Sequence, residues 1–297
     1  MKPAPFAYHR PETVDDGLAL LAAHGAEAKP LAGGQSLIPA MNFRLARPAV
    51  LVDLNRIAAL AYVREEADGT RIGAMTRQRT VERDPLVSRR APLLAEALPH
   101  VAHAQIRNRG TLGGSVAHAD PAGEIPAVLL ALGASFVLRG PGGSRTVPAE
   151  RFFTGLFETA LAPGELLVEI VIPAMRARTG WAFVEVARRH GDYALAGVAA
   201  TVTLDDAGRC REARIALLGV SAGPVLARRA ARELAGELPS DKRLREAAGA
   251  ASAKDIDPPG DIHASSAYRR QLVAVLTRRA LATAFERGAA SGAEPGP

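Results

Sequence analysis

The chain has a single cysteine, Cys210, in 297 residues. An internal disulfide is therefore excluded. So is an iron–sulfur cluster held by this chain's own thiolates, which takes about four ligands. A lone thiol fits a reducing compartment. Aromatic residues make up only 4% of the chain while apolar residues reach 48%, so alanine, leucine and valine must fill the core. Lysine occurs only at Lys2, Lys29, Lys242 and Lys254; the other basic residues are arginines, scattered among 31 acids for a net charge of +6. Such scatter reads as solvated faces with some contacts to a partner or an anion, not as a nucleic-acid-binding block. The longest apolar stretches, 125–138 and 193–204, fall short of the ~20 residues of a membrane span. The opening Met1-Lys2-Pro3-Ala4-Pro5 lacks a signal-peptide core, so a cytoplasmic location is expected. No G-x-G-x-x-G and no Walker A motif occurs, which sets aside an ordinary Rossmann or P-loop site.

What the chain does have is two glycine–hydroxyl segments, about eighty residues apart. One reads Ala32-Gly33-Gly34-Gln35-Ser36 and the other Thr111-Leu112-Gly113-Gly114-Ser115. A Gly-Gly pair lets the backbone approach a ligand closely and reach positive φ without Cβ strain. Successive N–H groups in such a turn form an anion trap, to which a helix starting at the serine adds its positive end. Ser36, Thr111 and Ser115 can each donate a hydroxyl hydrogen to phosphate. Two such loops suggest two clamps on one pyrophosphate.

Around these segments the pattern is mixed α and β. A helix over 11–24, capped by Thr13, precedes short strands at 29–32 and 50–55. Strands at 60–64 and 71–74 join through Asp68-Gly69. Helices follow at 76–84, 93–101, 105–109 and 124–132, then strands at 134–138 and 166–172. Beyond a boundary near 174–180, strands at 181–188, 197–204 and 214–220 suggest an antiparallel sheet, followed by helices at 225–238, 241–252 and 266–287. On the last helix Tyr268, Leu272, Val275 and Leu276 are expected to share a face, with Ser265 or Ser266 as cap. The expected division is 1–55, 56–176 and 177–287, with a small polar tail at 288–297.

The first segment continues as Leu37-Ile38-Pro39-Ala40-Met41-Asn42-Phe43-Arg44 and then Val50 to Asn55. The second follows Gln105-Ile106-Arg107-Asn108-Arg109-Gly110 and leads to Ala119-Asp120-Pro121 and Glu124. In these motifs the chain resembles the FAD-binding (medium) subunit of the molybdenum hydroxylases, the family of xanthine dehydrogenase and aerobic carbon monoxide dehydrogenase, from about residue 5 to about residue 285. The resemblance implies an α+β flavoprotein. Two N-terminal lobes form an FAD-binding domain of the PCMH type, and an α+β C-terminal domain, an antiparallel sheet with helices on one face, closes over the flavin. It implies that residues 32–36 and 111–115 hold FAD, and that Glu124, where the family often has Asp, accepts hydrogen bonds from sugar hydroxyls. Asp120 is a weaker candidate of the same kind. It also implies that Leu167 makes a backbone or packing contact to the ring and that Tyr193 lies against the isoalloxazine. The family often carries a lysine in the stretch that here reads Val184-Glu185-Val186. The partners implied are a molybdenum-cofactor large subunit and a [2Fe-2S] small subunit, as a dimer of heterotrimers. Electrons would then pass from the iron–sulfur subunit through FAD to NAD, oxygen, a quinone or another acceptor. No metal on this chain is implied.

Other readings stand beside this one. Arg107-Asn108-Arg109 is either a basic surface or a run that fixes the second loop and faces the cofactor's anionic half. His100 and His103 have H-x-x-H spacing, but Pro99 perturbs the helix and no glutamate follows the first histidine. Gly219-Val220-Ser221-Ala222-Gly223 matches the nucleophile elbow, with Asp255, Asp257 or Asp261 and His263 downstream in the order of a hydrolase triad. A stand-alone FAD oxidoreductase, a Ser221 hydrolase and a cofactor-free scaffold are the alternatives.

Overall fold

The computed structural model describes residues 2–291 and consists of three sheets with helices packed between and around them. Strands β1 (Ala7–His9), β2 (Ala28–Leu31) and β3 (Val50–Asp53) form a small parallel sheet in the order β1-β3-β2. Helix α1 (Val14–His24) covers it; Thr13 caps the helix by accepting from Asp16 N, and Val14, Leu18 and Leu21 are buried. A short helix α2 (Leu37–Asn42) lies between β2 and β3.

The second sheet is antiparallel. Strands β4 (Val63–Glu66), β5 (Gly69–Gly73), β6 (Ser135–Gly140), β7 (Gly143–Pro148) and β10 (Leu166–Pro173) run in the order β4-β5-β10-β6-β7, and a hairpin of β8 (Phe153–Gly155) and β9 (Glu158–Thr159) stands apart. Between β5 and β6 come short helices α3 (Gln78–Arg83), α4 (Pro85–Arg90), α5 (Pro92–Ala97), α6 (Ala104–Arg107), α7 (Leu112–His118) and α8 (Glu124–Ala131); α9 (Ala149–Phe152) follows β7. Every residue of α8 is buried, so its unbroken apolar face is that of a core helix. The sequence reading missed α4, β7, α7 and the small hairpin. Prolines at 85, 92 and 99 cut one apolar stretch into separate turns, so the helix expected at 93–101 divides into α5 and a 3-10 turn.

The third sheet has β11 (Thr179–Ala187), β12 (Ala194–Leu204), β13 (Cys210–Leu218) and the short β14 (Val225–Leu226) in sequential antiparallel order. All eleven residues of β12 are buried because both faces are covered. Ala196, Val198, Ala200 and Val202 face α10 (Arg228–Leu234), α11 (Asp241–Lys254) and α12 (Ser266–Ala290), while Ala199, Phe183, Ala216 and Leu218 face the central core that α8 fills. The helix expected at 225–238 begins instead as strand β14. The face expected for the last helix is also corrected. Tyr268 and Val275 are exposed, and the buried stripe is Val273, Leu276, Ala280, Leu281, Ala284 and Phe285. Helix α12 runs on to Ala290, into the expected tail; residues 292–297 lie outside the described range. Cys210 is buried in this layer, and burial pushes its thiol up to about 11, which makes it a poor nucleophile. Among the described residues no helix is long and apolar enough to cross a membrane.

Gly180 locks α12 to the sheet, since a Cβ there would lie 1.9 Å from the carbonyl of Ala284. Gly180→Ala must push helix from strand and is expected to cost about 3 kcal/mol, at the upper end for overpacking. Chemical denaturation measures this, and an unchanged midpoint would show that the helix is not seated there.

Candidate functional site

The first glycine segment lies against the backbone that leads into the second. A Cβ on Gly33 would lie 2.5 Å from the carbonyl oxygen of Arg109 and 2.7 Å from Gly110 Cα. Gly114 faces Ala32, whose Cβ would be 3.4 Å from a Cβ added there. A polar strut holds the pair from behind. Arg77 donates to Asn55 Oδ1 (2.6 Å) and to the Arg109 carbonyl, and Asn55 Nδ2 donates to the carbonyl of Ala32 (2.9 Å). The sequence offered no signal for Arg77, and Asn55 stood out only as the end of a strand.

The two segments differ in what they offer a ligand. The first is an open turn, with Gly34 at φ +74° and Ser36 as the N-cap residue of α2, its side chain making no capping bond. Among the described residues, no group accepts from the N–H of Gly33, Gly34, Gln35 or Ser36, and all four residues are half-buried. Gln35 turns its side chain back onto the Gly33 carbonyl (3.0 Å). These are the donors an anion requires.

The second segment is not a loop, which corrects the sequence reading. Thr111 caps α7, and Leu112 to Ser115 are already helical. Their N–H groups are taken: Leu112 donates to Thr76 O (3.0 Å), Gly113 to Ala74 O (2.9 Å), Gly114 to Thr111 Oγ1 (3.0 Å) and Ser115 to Thr111 O (3.2 Å). The glycines there serve clearance, since a Cβ on Gly113 would meet Ala74 Cβ at 2.5 Å. What remains for a ligand is the hydroxyl of Ser115, since Thr111 is only 1% exposed and its Oγ1 already accepts from Gly114 N. The Ser115 hydroxyl accepts from Gln78 Nε2 (2.8 Å), which leaves its own hydrogen free to donate. The sequence hid this helix because Gly-Gly is a poor helix former; tertiary contacts override the propensity.

Asp120, Glu124 and Tyr193 come together beyond α7. The left-handed Ala119 (φ +53°) ends that helix, and Asp120 Oδ1 accepts from Ala122 N (2.9 Å), shaping the turn. Tyr193 precedes β12 with 63% of its surface exposed. The protein crowded around its hydroxyl, and then the charge of Asp120, push the phenol up to about 12. Glu124 begins α8 and is only 6% exposed. No other residue donates a hydrogen bond to its carboxyl among the described residues, and burial pushes it up to about 7. Leu167 lies on β10 with its side chain buried in the central core.

The remaining candidates resolve into structural roles. Arg107 is buried, paired with Glu82 (2.9 Å) and donating to the carbonyls of Val101 (2.9 Å) and Ala102 (3.1 Å), so it braces the chain before α7 and does not face a ligand. His100 Nδ1 lies 3.2 Å from Glu185 Oε1, and that bond raises the imidazole's pKa. His103 packs behind Gly191. No group of three or more metal-ligating side chains occurs among the described residues. Ser221 follows β13 but sits in an irregular turn before β14, not on a strand-to-helix elbow. Asp261 is bound to Arg269 (2.6 Å) and His263 to Arg188 (3.3 Å), so neither forms a triad with that serine.

A family model described as the FAD binding domain in molybdopterin dehydrogenase matches residues 4–175. A second, described as the CO dehydrogenase flavoprotein C-terminal domain, matches residues 181–284. The chain is 42% identical to the 6-hydroxypseudooxynicotine dehydrogenase complex subunit alpha of Paenarthrobacter nicotinovorans, over 97% of each protein. It is 41% identical to the carbon monoxide dehydrogenase medium chain of Hydrogenophaga pseudoflava, over 97% of this chain and 99% of that one. The solved carbon monoxide dehydrogenase from Hydrogenophaga pseudoflava that lacks the Mo-pyranopterin moiety superposes with a TM-score of 0.94 at 42% identity, covering 97% of this chain and 99% of that chain.

Glu124 provides a sign test of the site's electrostatics. Burial raises its carboxyl from the ordinary 4.5 to about 7 in the fold. Its contribution to stability is therefore full below the unfolded value and is lost as pH rises through the folded one. Glu124→Gln is expected to stabilise the FAD-free chain above pH 7, by up to about 3 kcal/mol at 1.36 kcal/mol per unit. That advantage should vanish in acid. Denaturation midpoints across this range check it, and an advantage independent of pH would contradict it.

Proposed function

The chain belongs to the family of FAD-binding medium subunits of molybdenum hydroxylases, and from that premise we propose that it carries electrons through FAD from an iron–sulfur subunit to an external acceptor. It is an oxidoreductase subunit and its cofactor is FAD. The partners in this reading are a molybdenum-cofactor large subunit, which oxidises the substrate, and a [2Fe-2S] small subunit, arranged as a dimer of heterotrimers in the cytoplasm. The lone buried Cys210 supports a division of labour in which the cluster resides elsewhere.

The observation that carries the reading is the backbone contact at Gly33. It seats the segment with four unclaimed N–H groups against the backbone that leads into α7, whose first turn carries Ser115. That donor set suits a pyrophosphate, with N–H groups from residues 33–36 and hydroxyls from Ser36 and Ser115, while buried Thr111 caps the helix that presents Ser115. Asp120 and Glu124 provide acceptors for sugar hydroxyls, and the exposed ring of Tyr193 offers a flat apolar face to a heterocycle. FAD supplies two-electron and one-electron redox chemistry; the chain's residues position it and set the charge around it. The division into lobes 1–55 and 56–176 and a domain 177–287 is proposed on the same basis, each part containing one of the three sheets.

Substrate choice lies outside this reading. The relative named for 6-hydroxypseudooxynicotine and the one named for carbon monoxide match this chain almost equally, at 42% and 41%.

Gly33→Val drives a side chain into the Arg109 carbonyl and separates the two segments. The purified variant is expected to be colourless while retaining the wild-type far-ultraviolet spectrum. Ser36→Ala is expected to keep FAD with affinity reduced about tenfold, the loss of one hydrogen bond to a charged group. Visible absorbance and chromatography of released cofactor measure both. Stoichiometric FAD in Gly33→Val would overturn the arrangement.

A further inference from the structure

Gln78 is a buried amide with no part in the reading above. It opens α3 and is only 3% exposed. Backbone pairing places it. The stretch from Ala74 to Gln78 runs beside Gly110 to Gly113: Gly113 N donates to Ala74 O (2.9 Å), Leu112 N to Thr76 O (3.0 Å) and Gln78 N to Gly110 O (2.9 Å), with Arg77 bridged to Thr111 between them. From there the Gln78 side chain reaches α7, where its Nε2 donates to Ser115 Oγ (2.8 Å). Its other end meets Gly110, since a Cβ added there would lie 2.5 Å from Gln78 Oε1. Gly110 in turn lies against Gly33, whose own Cβ would come within 2.7 Å of Gly110 Cα. One side chain thus touches both the approach to α7 and the hydroxyl that α7 presents.

This amide is only half satisfied. Gln78 Oε1 is buried without a hydrogen-bond partner, which destabilises the fold. The reverse orientation would be worse. It would press an NH2 group, with two hydrogens to satisfy, into the place of one oxygen. A methionine would fill the same space with no orphan atom, so packing alone does not call for a glutamine. What the amide adds is direction. Because Nε2 donates, the Ser115 oxygen is committed as an acceptor and its hydrogen must point elsewhere. No acceptor takes that hydrogen among the described residues, and Ser115 is half-buried rather than sealed. A hydroxyl with its donor end left over suits an anion, and fixing it in advance spares a ligand the cost of ordering it.

We propose that Gln78 is a positioning residue of the cofactor site: by donating to Ser115 it fixes that hydroxyl as a donor to the anionic pyrophosphate of FAD. The proposal rests on the pyrophosphate reading given above and deepens it. Gln78 touches no ligand itself and acts through Ser115 alone. Its orphan Oε1 is the cost of holding the amide in the orientation that makes Ser115 a donor.

The experiment is titration of the FAD-free chain with FAD, followed by flavin fluorescence, for the wild type, Gln78→Met, Ser115→Ala and the double variant. Methionine keeps the length and the packing and removes the orphan oxygen, so the denaturation midpoint of the FAD-free chain should change little. FAD affinity should fall about tenfold in Ser115→Ala, which loses one hydrogen bond to a charged group, and about threefold in Gln78→Met, which leaves the hydroxyl free to turn. The decisive comparison is the double variant. With Ser115 already replaced, Gln78→Met should cause no further loss, because its effect runs through the hydroxyl. A glutamine that only supports the fold would weaken FAD binding equally in both backgrounds. That result, or undiminished affinity in either single variant, would overturn the proposal. Should Gln78→Met fail to fold, Gln78→Asn, which keeps an amide but withdraws it from Ser115 by one methylene, is read in the same comparison. Wild-type protein that takes up no FAD would instead overturn the reading on which the proposal rests.

Discussion

The backbone of Gly33 lies against the carbonyl of Arg109 with no space for a Cβ, and the candidate site depends on that contact. It joins the end of a small parallel sheet to the approach of α7, two pieces of chain that share no strand. Everything near it serves to hold it closed. Arg77 and Asn55 tie the carbonyls of Ala32 and Arg109 into one strut, Gln78 N donates to the Gly110 carbonyl (2.9 Å), and buried Arg107 braces the preceding turn. With backbone groups on both sides, little side-chain freedom is left to spoil the geometry, and donors are set in place before any ligand arrives.

A consequence is asymmetry. A glycine pair looks the same in both segments, yet one leaves its N–H groups unclaimed and the other spends all of them within the fold. In our reading the first segment grips the pyrophosphate through its backbone, and the second is a wedge whose glycines permit close packing while its Ser115 hydroxyl finishes the site. Farther along the cleft the chemistry changes from donors to acceptors. Asp120 and Glu124 lie at the turn into α8, and Glu185 of β11 pairs with His100.

Much of the fold was legible in the sequence because periodicity reports burial. Strands β11 and β13 and the capped start of α1 could be read directly. β12 was legible as a strand, although its two covered faces were not, since an all-apolar run carries no period. The face of α12 was misread for a related reason: alanines at 280 and 284 pack as core while larger Tyr268 and Val275 face outward. At the site, the glycine segments were visible and the helix inside the second was not. Arg77, Gln78 and Asn55 could not be found by motif, because their roles arise from partners distant in sequence. Glu185 and His100 were noticed for other reasons, one as the place of a missing lysine and the other as half of an unused metal spacing, and only the fold set them side by side.

The central claim is that FAD is held through the N–H groups of residues 33–36, with residues 112–115 already bonded within the protein. Site-resolved amide hydrogen exchange of the chain with and without FAD tests it most directly. The account expects Gly33, Gly34, Gln35 and Ser36 to exchange fast in the FAD-free chain and to become protected when FAD binds, while Leu112 to Ser115 are protected in both states. Protection gained at Leu112 to Ser115, with no change at residues 33–36, would contradict it.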